Sequence, residues 1–310
     1  MWTKCKKFFK SKIDLKKFSP LYTVLFVVLT LYVLSFLWFL FNGIMTTLKE
    51  PLFEFTLNRT GLPSYLYFQN YATVFQFFAI KGVPSDSEKV VTFVQMLGNS
   101  VIYAVGNAVI RSCVLFIVAY AAARFKFFIG KVIYTIVIVG MILPVVGAQP
   151  SMLAVAYKLG LYDSQIGVYI QKAHFLGLHF LILHATLASF PKDYDEAAQI
   201  DGASNLSVMF RIMWPLSMTT FATILLLNFI TEWNDYTTPL LFLPSSPTIS
   251  LGLRKFEAGD VAKLEGASVD TTLPPIKMAA CFISAMPTLL LFIIFHDRLL
   301  TNLSVGGVKE

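Results

Sequence analysis

Pro191-Lys192-Asp193-Tyr194-Asp195-Glu196-Ala197-Ala198-Gln199-Ile200-Asp201-Gly202-Ala203-Ser204 is an acidic island between two apolar runs. Pro191 breaks whatever helix precedes it, four carboxylates and two small residues open a short helical segment, and Gly202 is placed to end it. A further apolar run restarts near Pro215, where a first-turn proline costs nothing. The pattern predicts a compact helical elbow. Ala197 and Ala198 let another backbone approach, and the carboxylates can cap helix N–H groups or meet basic groups on a partner. Taken alone, the stretch reads as an ordinary capped connector or as a docking surface.

Outward from the elbow the chain is too apolar for water. Of 310 residues 56% are hydrophobic and 14% charged, and the mean hydropathy is +0.67. A water-facing surface cannot carry such values, so the chain is expected in a lipid bilayer. The net charge of +7 is no nucleic-acid signal. Seven lysines from Lys4 to Lys17, against Asp14 alone, hold +6 of it in a basic tail before the first apolar run. Cys5, Cys113 and Cys281 are too few and too scattered for a disulfide framework or a metal site.

Gaps between charged residues measure the spans, because crossing ~30 Å of hydrocarbon takes about 20 helical residues. Six gaps pass. The expected spans are residues 21–45, 92–123, 132–157, 173–190, 214–242 and 278–296, within one transmembrane domain of residues 21–300. The tail of residues 1–20, the elbow of residues 191–213 and the terminal residues 301–310 then share one side. That side holds 14 Lys and Arg in short segments, against 10 in longer loops opposite, so both termini are expected in the cytoplasm. The first span is too long for a secretory signal and lacks its small-residue cleavage site. Pro144, Pro150 and Pro287 interrupt backbone bonding at membrane depth, as kinks or hinges. The expected fold class is all-α, a polytopic protein with six transmembrane helices.

Catalytic chemistry finds few footholds. The sequence has no G-x-x-x-x-G-K-[ST] phosphate loop, no G-x-S-x-G elbow and no H-E-x-x-H pair. His174, His179 and His184 recur every five residues, so each turns about 140° from the last on a helix and they cannot line one face. Buried charge is more informative. Arg111 lies 13 residues before Arg124, about 20 Å above the inner end of its span. Glu232 lies 17 residues beyond Pro215, about 25 Å up the fifth span, with Asp235 one turn higher. A lone central arginine costs roughly 2.5–3.5 kcal/mol on insertion scales, so Arg111 is expected to face protein or water. It pairs with Glu232 or Asp235 across a translocation pathway, meets an acidic group on a substrate, or is half of a buried pair that fixes helix register.

Glu196-Ala197-Ala198, three residues, Gly202, nine residues, Ile212, two residues and Pro215 match the EAA signature, E-A-A-x3-G-x9-I-x-L-P, with Trp214 where Leu is usual. Further matches are Asn70-Tyr71, Asn99-Ser100, Ala119-Tyr120-Ala121, Ala123-Arg124-Phe125, Met141-Ile142-Leu143-Pro144, Glu232-Trp233-Asn234-Asp235-Tyr236 and Gly306-Gly307-Val308-Lys309. From about residue 20 onward the chain resembles the permease subunits of binding-protein-dependent carbohydrate ABC importers, in particular the second permease of the maltose type. The resemblance implies the type I ABC importer permease fold in a bacterial or archaeal cell membrane. Its partners would be a second, similar permease, two cytoplasmic ATPase subunits that bind ATP and Mg, and an extracytoplasmic solute-binding protein that delivers a sugar or oligosaccharide. No cofactor would bind this chain. On that resemblance Glu196, Ala197, Ala198, Asp201 and Gly202 couple the chain to the ATPase and catalyse nothing. An ion-coupled secondary carrier is the alternative, expected to show internal repeats and more spans. A membrane-embedded hydrolase is disfavoured by the missing nucleophile motifs.

Overall fold

A computed structural model describes residues 20–81, 90–125, 128–143, 147–258, 270 and 272–304, with backbone alone for 296–304. The basic tail, the Gly306–Lys309 match, Pro144 and Lys126 lie outside the described residues.

The described chain is almost entirely helical. Helix α1, Pro20–Thr47, carries no charge, and its 28 residues make a rod about 42 Å long. Its apolar stretch is exposed all round, as a helix against lipid would be. Only its far end packs, where Gly43 admits the Phe282 ring. A folded excursion follows, with α2, Phe53–Leu57, and α3, Gln69–Phe77. Strands β1, Ala79–Lys81, and β2, Val90–Thr92, pair antiparallel with Ile80 opposite Val91.

Helix α4, Phe93–Arg124, is the axis of the molecule. Thr92 and Gln95 start it with a reciprocal capping box. Then come α5, Phe128–Ile142; α6, Ala148–Lys158; α7, Gln165–Lys172; and α8, Leu178–Ser189. The elbow follows as α9, Asp193–Ile200, and α10, Asn205–Val208, with a π-helical stretch Met209–Met213 and a short α11, Trp214–Leu216. Helix α12, Met218–Asn234, returns along α4, followed by α13, Thr237–Phe242, α14, Ile249–Glu257, and α15, Pro274–Ser304.

Among the described residues three helices, α1, α4 and α15, are long and apolar enough to cross a bilayer, and a bent pair around Ser217 makes a fourth. Two shorter apolar helices, α5 and α8, lie where the third and fourth spans were expected. The third apolar run is two helices, because α5 ends at Ile142 and Gly147, with φ of 79°, opens α6. The fifth run, read as residues 214–242, bends by 80° at Ser217 and breaks again at Asp235. Pro215 therefore belongs to the elbow's last helix and the rod begins at Met218.

Small residues on α4 allow close approach. A Cβ at Gly106 would lie 2.3 Å from the Tyr169 hydroxyl, which donates to the Ile102 carbonyl at 2.8 Å. One apolar core, around Phe116, Leu183 and Met213, joins α4, α8 and the elbow; another, around Phe78, Phe93 and Ile276, joins the excursion to α15. Trp233 Nε1 donates to the Ser284 carbonyl at 3.0 Å and ties α12 to α15.

Candidate functional site

Among the described residues polar chemistry gathers at the elbow, against the C-terminal ends of α4 and α8, and in a charge cluster along α4 and α12.

The elbow is built from its caps. Asp193, Asp195 and Glu196 crowd the first turn of α9, where the helix dipole favours negative charge. The far end closes with a Schellman motif, in which Gly202 N–H donates to Gln199 O at 3.0 Å and Ala203 N–H to Ala198 O at 2.9 Å. That geometry needs the left-handed conformation, and Gly202 has φ of 80°. Ser204 Oγ then accepts from Ser207 N–H and starts α10.

Arg124, the last residue of α4, aims this unit. Its Nη2 lies 2.6 Å from Asp195 Oδ2 and its Nε donates to the same oxygen at 2.7 Å. Nη1 donates to the carbonyls of Leu187 and Phe190, and Nη2 to that of Pro191, at 3.3, 2.8 and 3.1 Å. One buried guanidinium thus satisfies the end of α8 and holds the first turn of α9. By sequence Arg124 is a topological charge and a family match; its clamping role needs the fold, which brings together residues 71 apart in sequence.

The two alanines divide. Ala198 is buried against the elbow's own core, whereas Glu196, Ala197, Asp201 and Gly202 are exposed. Beside them Ile200 and Leu206 are 86% and 66% exposed. Trp214, the departure from the signature, packs edge-on to Phe116 at 4.7 Å and against Phe221 at 4.3 Å, filling the inside of the 80° bend.

In the charge cluster, Arg111 Nη1 lies 3.6 Å from Glu232 Oε1. No contact joins Arg111 to Asp235. The fourth member is Lys172, at the end of α7, whose Nζ lies 3.0 Å from Glu232 Oε2 and 2.8 Å from Asp235 Oδ2. Asp235 is a hub. Its Oδ2 also accepts from Tyr103 OH at 2.9 Å and Thr238 Oγ1 at 2.6 Å, while Oδ1 caps α13 through the N–H groups of Thr237 and Thr238. Glu232 differs. Its side chain is wholly buried, and neither oxygen has a hydrogen bond beyond the two facing cations. By sequence Lys172 is a charge just before the expected span of residues 173–190, and nothing in the sequence tells that α7 folds back along α4.

A polar chain continues along α12 toward the elbow. Asn228 Nδ2 donates to Ser112 Oγ at 2.9 Å, and Asn228 Oδ1 meets His179 Nδ1 at 3.0 Å. His184 packs on Tyr134 and Phe180, and His174 precedes α8, so the histidines share no face. Among the described residues no group of three His, Cys, Asp or Glu could hold a metal ion.

Residues 114–304 match the family model described as "Binding-protein-dependent transport system inner membrane component". The chain is 30% identical over 223 residues to the putative ABC transporter permease protein ORF2 of Caldicellulosiruptor sp., covering 70% of this chain and 76% of that one. It is 29% identical over 227 residues to the trehalose/maltose transport system permease protein MalG of Thermococcus litoralis, covering 72% and 78%. In fold it superposes with a TM-score of 0.74, at 21% identity over 90% of this chain and 98% of the other, on a bacterial ABC transporter involved in the import of the acidic polysaccharide alginate.

Proposed function

This chain belongs to the family of binding-protein-dependent transport system inner membrane components, and from that premise we propose that it moves a sugar or oligosaccharide inward as one permease of an ATP-driven importer. Its family is that of sugar ABC transporter permeases, and it is a multi-pass membrane protein with a transport role. In the proposed assembly a second permease completes the pathway, two ATPase subunits bind ATP and Mg in the cytoplasm, and an extracytoplasmic binding protein delivers the sugar. Both termini and the elbow face the cytoplasm.

The observation that carries this reading is the elbow: a capped helix exposing Glu196, Ala197 and Ile200, held by Arg124 to the ends of two membrane helices. A partner gripping α9 moves α4 and α8 with it, and the elbow continues through the bend at Ser217 into α12. Closure of the ATPase pair then selects one packing of the helices and hydrolysis releases it. Because Lys172 and Asp235 occupy one another, Arg111 is the cluster member most able to reach a passing substrate.

Reconstitution tests the reading. A complex purified through this chain should contain an ATPase whose turnover rises with sugar-loaded binding protein and whose activity drives uptake into vesicles. Uptake driven by an ion gradient without any ATPase subunit would instead identify a secondary carrier.

A further inference from the structure

The excursion after α1 carries apolar surface that the transport reading does not use. Residues 50–68 are pinned from within. Lys49, 1% exposed, donates its ammonium to the carbonyls of Asn58 and Arg59 at 2.7 and 3.1 Å. The Glu50 carboxylate accepts the N–H groups of Leu52, Phe53 and Glu54, and that of Glu54 accepts from Glu50 and Ser64. Asn58 bridges Gly61 N–H and Leu62 O, and Tyr67 N–H closes back on Leu48 O at 2.9 Å. The loop's ordering comes from its polar groups, which are turned inward.

Its large apolar side chains are turned out. Phe53 is 77% exposed, Leu57 87%, Leu62 66%, Tyr65 53%, Leu66 59% and Phe68 62%. Phe53 and Leu57 stand four apart on α2 and share one concavity with Tyr65. A flexible loop could fold such residues away, but one held by Lys49 and its carboxylates cannot. An apolar surface fixed in this way needs a permanent cover.

We propose that residues 50–68 are an interfacial anchor, seated at the boundary of headgroups and acyl chains on the side of the bilayer where α1 ends. Continuity identifies the occupant as lipid. The exposed apolar surface of α1 runs as far as Phe41 and Ile44, in the last two turns of that helix, and the packed turn through Thr47 and Lys49 joins it to the loop. The composition fits: Phe, Leu and Tyr are interfacial residues, and Arg59, exposed on the same loop, can reach phosphate while its stem stays in the boundary. The inference needs only the membrane placement of α1 and stands apart from the sugar, the ATPase and the direction of transport.

Nitroxide labels test it in the assembled complex in lipid nanodiscs, with the native cysteines replaced by serine and single cysteines at positions 53, 57 and 66. A label at 36 on α1 and a free water-soluble nitroxide serve as deep and aqueous references. At 53, 57 and 66 collisions with oxygen should exceed those with the water-soluble nickel complex NiEDDA, giving a depth between the two references, unchanged by binding protein. Labels open mainly to NiEDDA would place the loop in water, and labels shielded from both reagents would place it against a protein; either result overturns the proposal. Uptake measured on the same variants shows whether the transport reading holds independently.

Discussion

Arg124 and Asp195 meet through two guanidinium nitrogens, at 2.6 and 2.7 Å from one carboxylate oxygen, and so fix the elbow's first turn to the end of the central helix. The Arg124 side chain is 3% exposed, so water has little access to these bonds.

Arg124→Ala should therefore leave three backbone carbonyls and a carboxylate without their donor, where each lost hydrogen bond to a charged group is worth about 1.5–3 kcal/mol. The expected result is a protein that still inserts but has lost most of its uptake, with faster hydrogen exchange across α9. Asp195→Asn keeps one acceptor and should lose less. Equal uptake by Arg124→Ala and wild type would show that the clamp does not aim the elbow.

The buried cluster orders its own variants. Lys172→Ala leaves Glu232 with one distant cation and takes from Asp235 the cation it is paired with, so it should be the most damaging, at about 3–5 kcal/mol for an orphaned buried charge. Arg111→Ala should cost less, because Glu232 keeps Lys172 at 3.0 Å. Thermal unfolding of the detergent-solubilised complex checks the order, and a more severe loss from Arg111→Ala would contradict the assignment of Lys172 as the hub's cation.

Gly202→Ala should be destabilising through backbone strain alone. Nothing lies within 4 Å of the added Cβ, but φ is 80°, and a left-handed residue with a side chain costs roughly 1–2 kcal/mol. Hydrogen exchange of the last α9 amides should quicken while the rest of the chain is unchanged; an unaltered pattern would mean the Schellman closure is not needed.

Acid should loosen the excursion after α1. Partial burial pushes the Glu50 carboxyl up, but hydrogen bonds from Leu52, Phe53 and Glu54 outweigh it and hold Glu50 below the ordinary carboxylate value. Glu54 is held low likewise. A depressed carboxylate stabilises above its unfolded pKa and loses that contribution as pH falls through the folded value. Exchange protection at residues 52–54 should thus be constant from neutral pH to about 5 and fall below the ordinary carboxylate range near 4.5; protection that persists well below it would show that the carboxylates do not hold the loop.

Much of this was legible because membrane helices obey composition: a run without charge must lie in lipid or protein, and the elbow's proline, carboxylates and glycine spell its start and stop. Helix arithmetic placed Arg111 and Glu232 at similar depths, and they lie 3.6 Å apart. What failed was continuity. The third run, marked by Pro144 and Pro150 for a kink or hinge, is two separate helices, whereas the fifth reads as a single rod and bends by 80° at Ser217, and apolarity alone cannot tell a rod from a bent pair. Lys172 was missed for the same reason, since a charge between two apolar runs reads as a loop until the fold returns it to α4. Ala197 and Ala198 looked equivalent, and only the packed core separates the outward one from the inward one.

The most direct measurement places a photo-reactive amino acid at Ala197, which is exposed and contributes nothing to the chain's own core. Illuminated in the assembled transporter, it should yield an adduct with the nucleotide-hydrolysing subunit, more in one nucleotide state than in the other. An adduct with the extracytoplasmic binding protein, or none in any nucleotide state while ATP-driven uptake proceeds, would contradict the account.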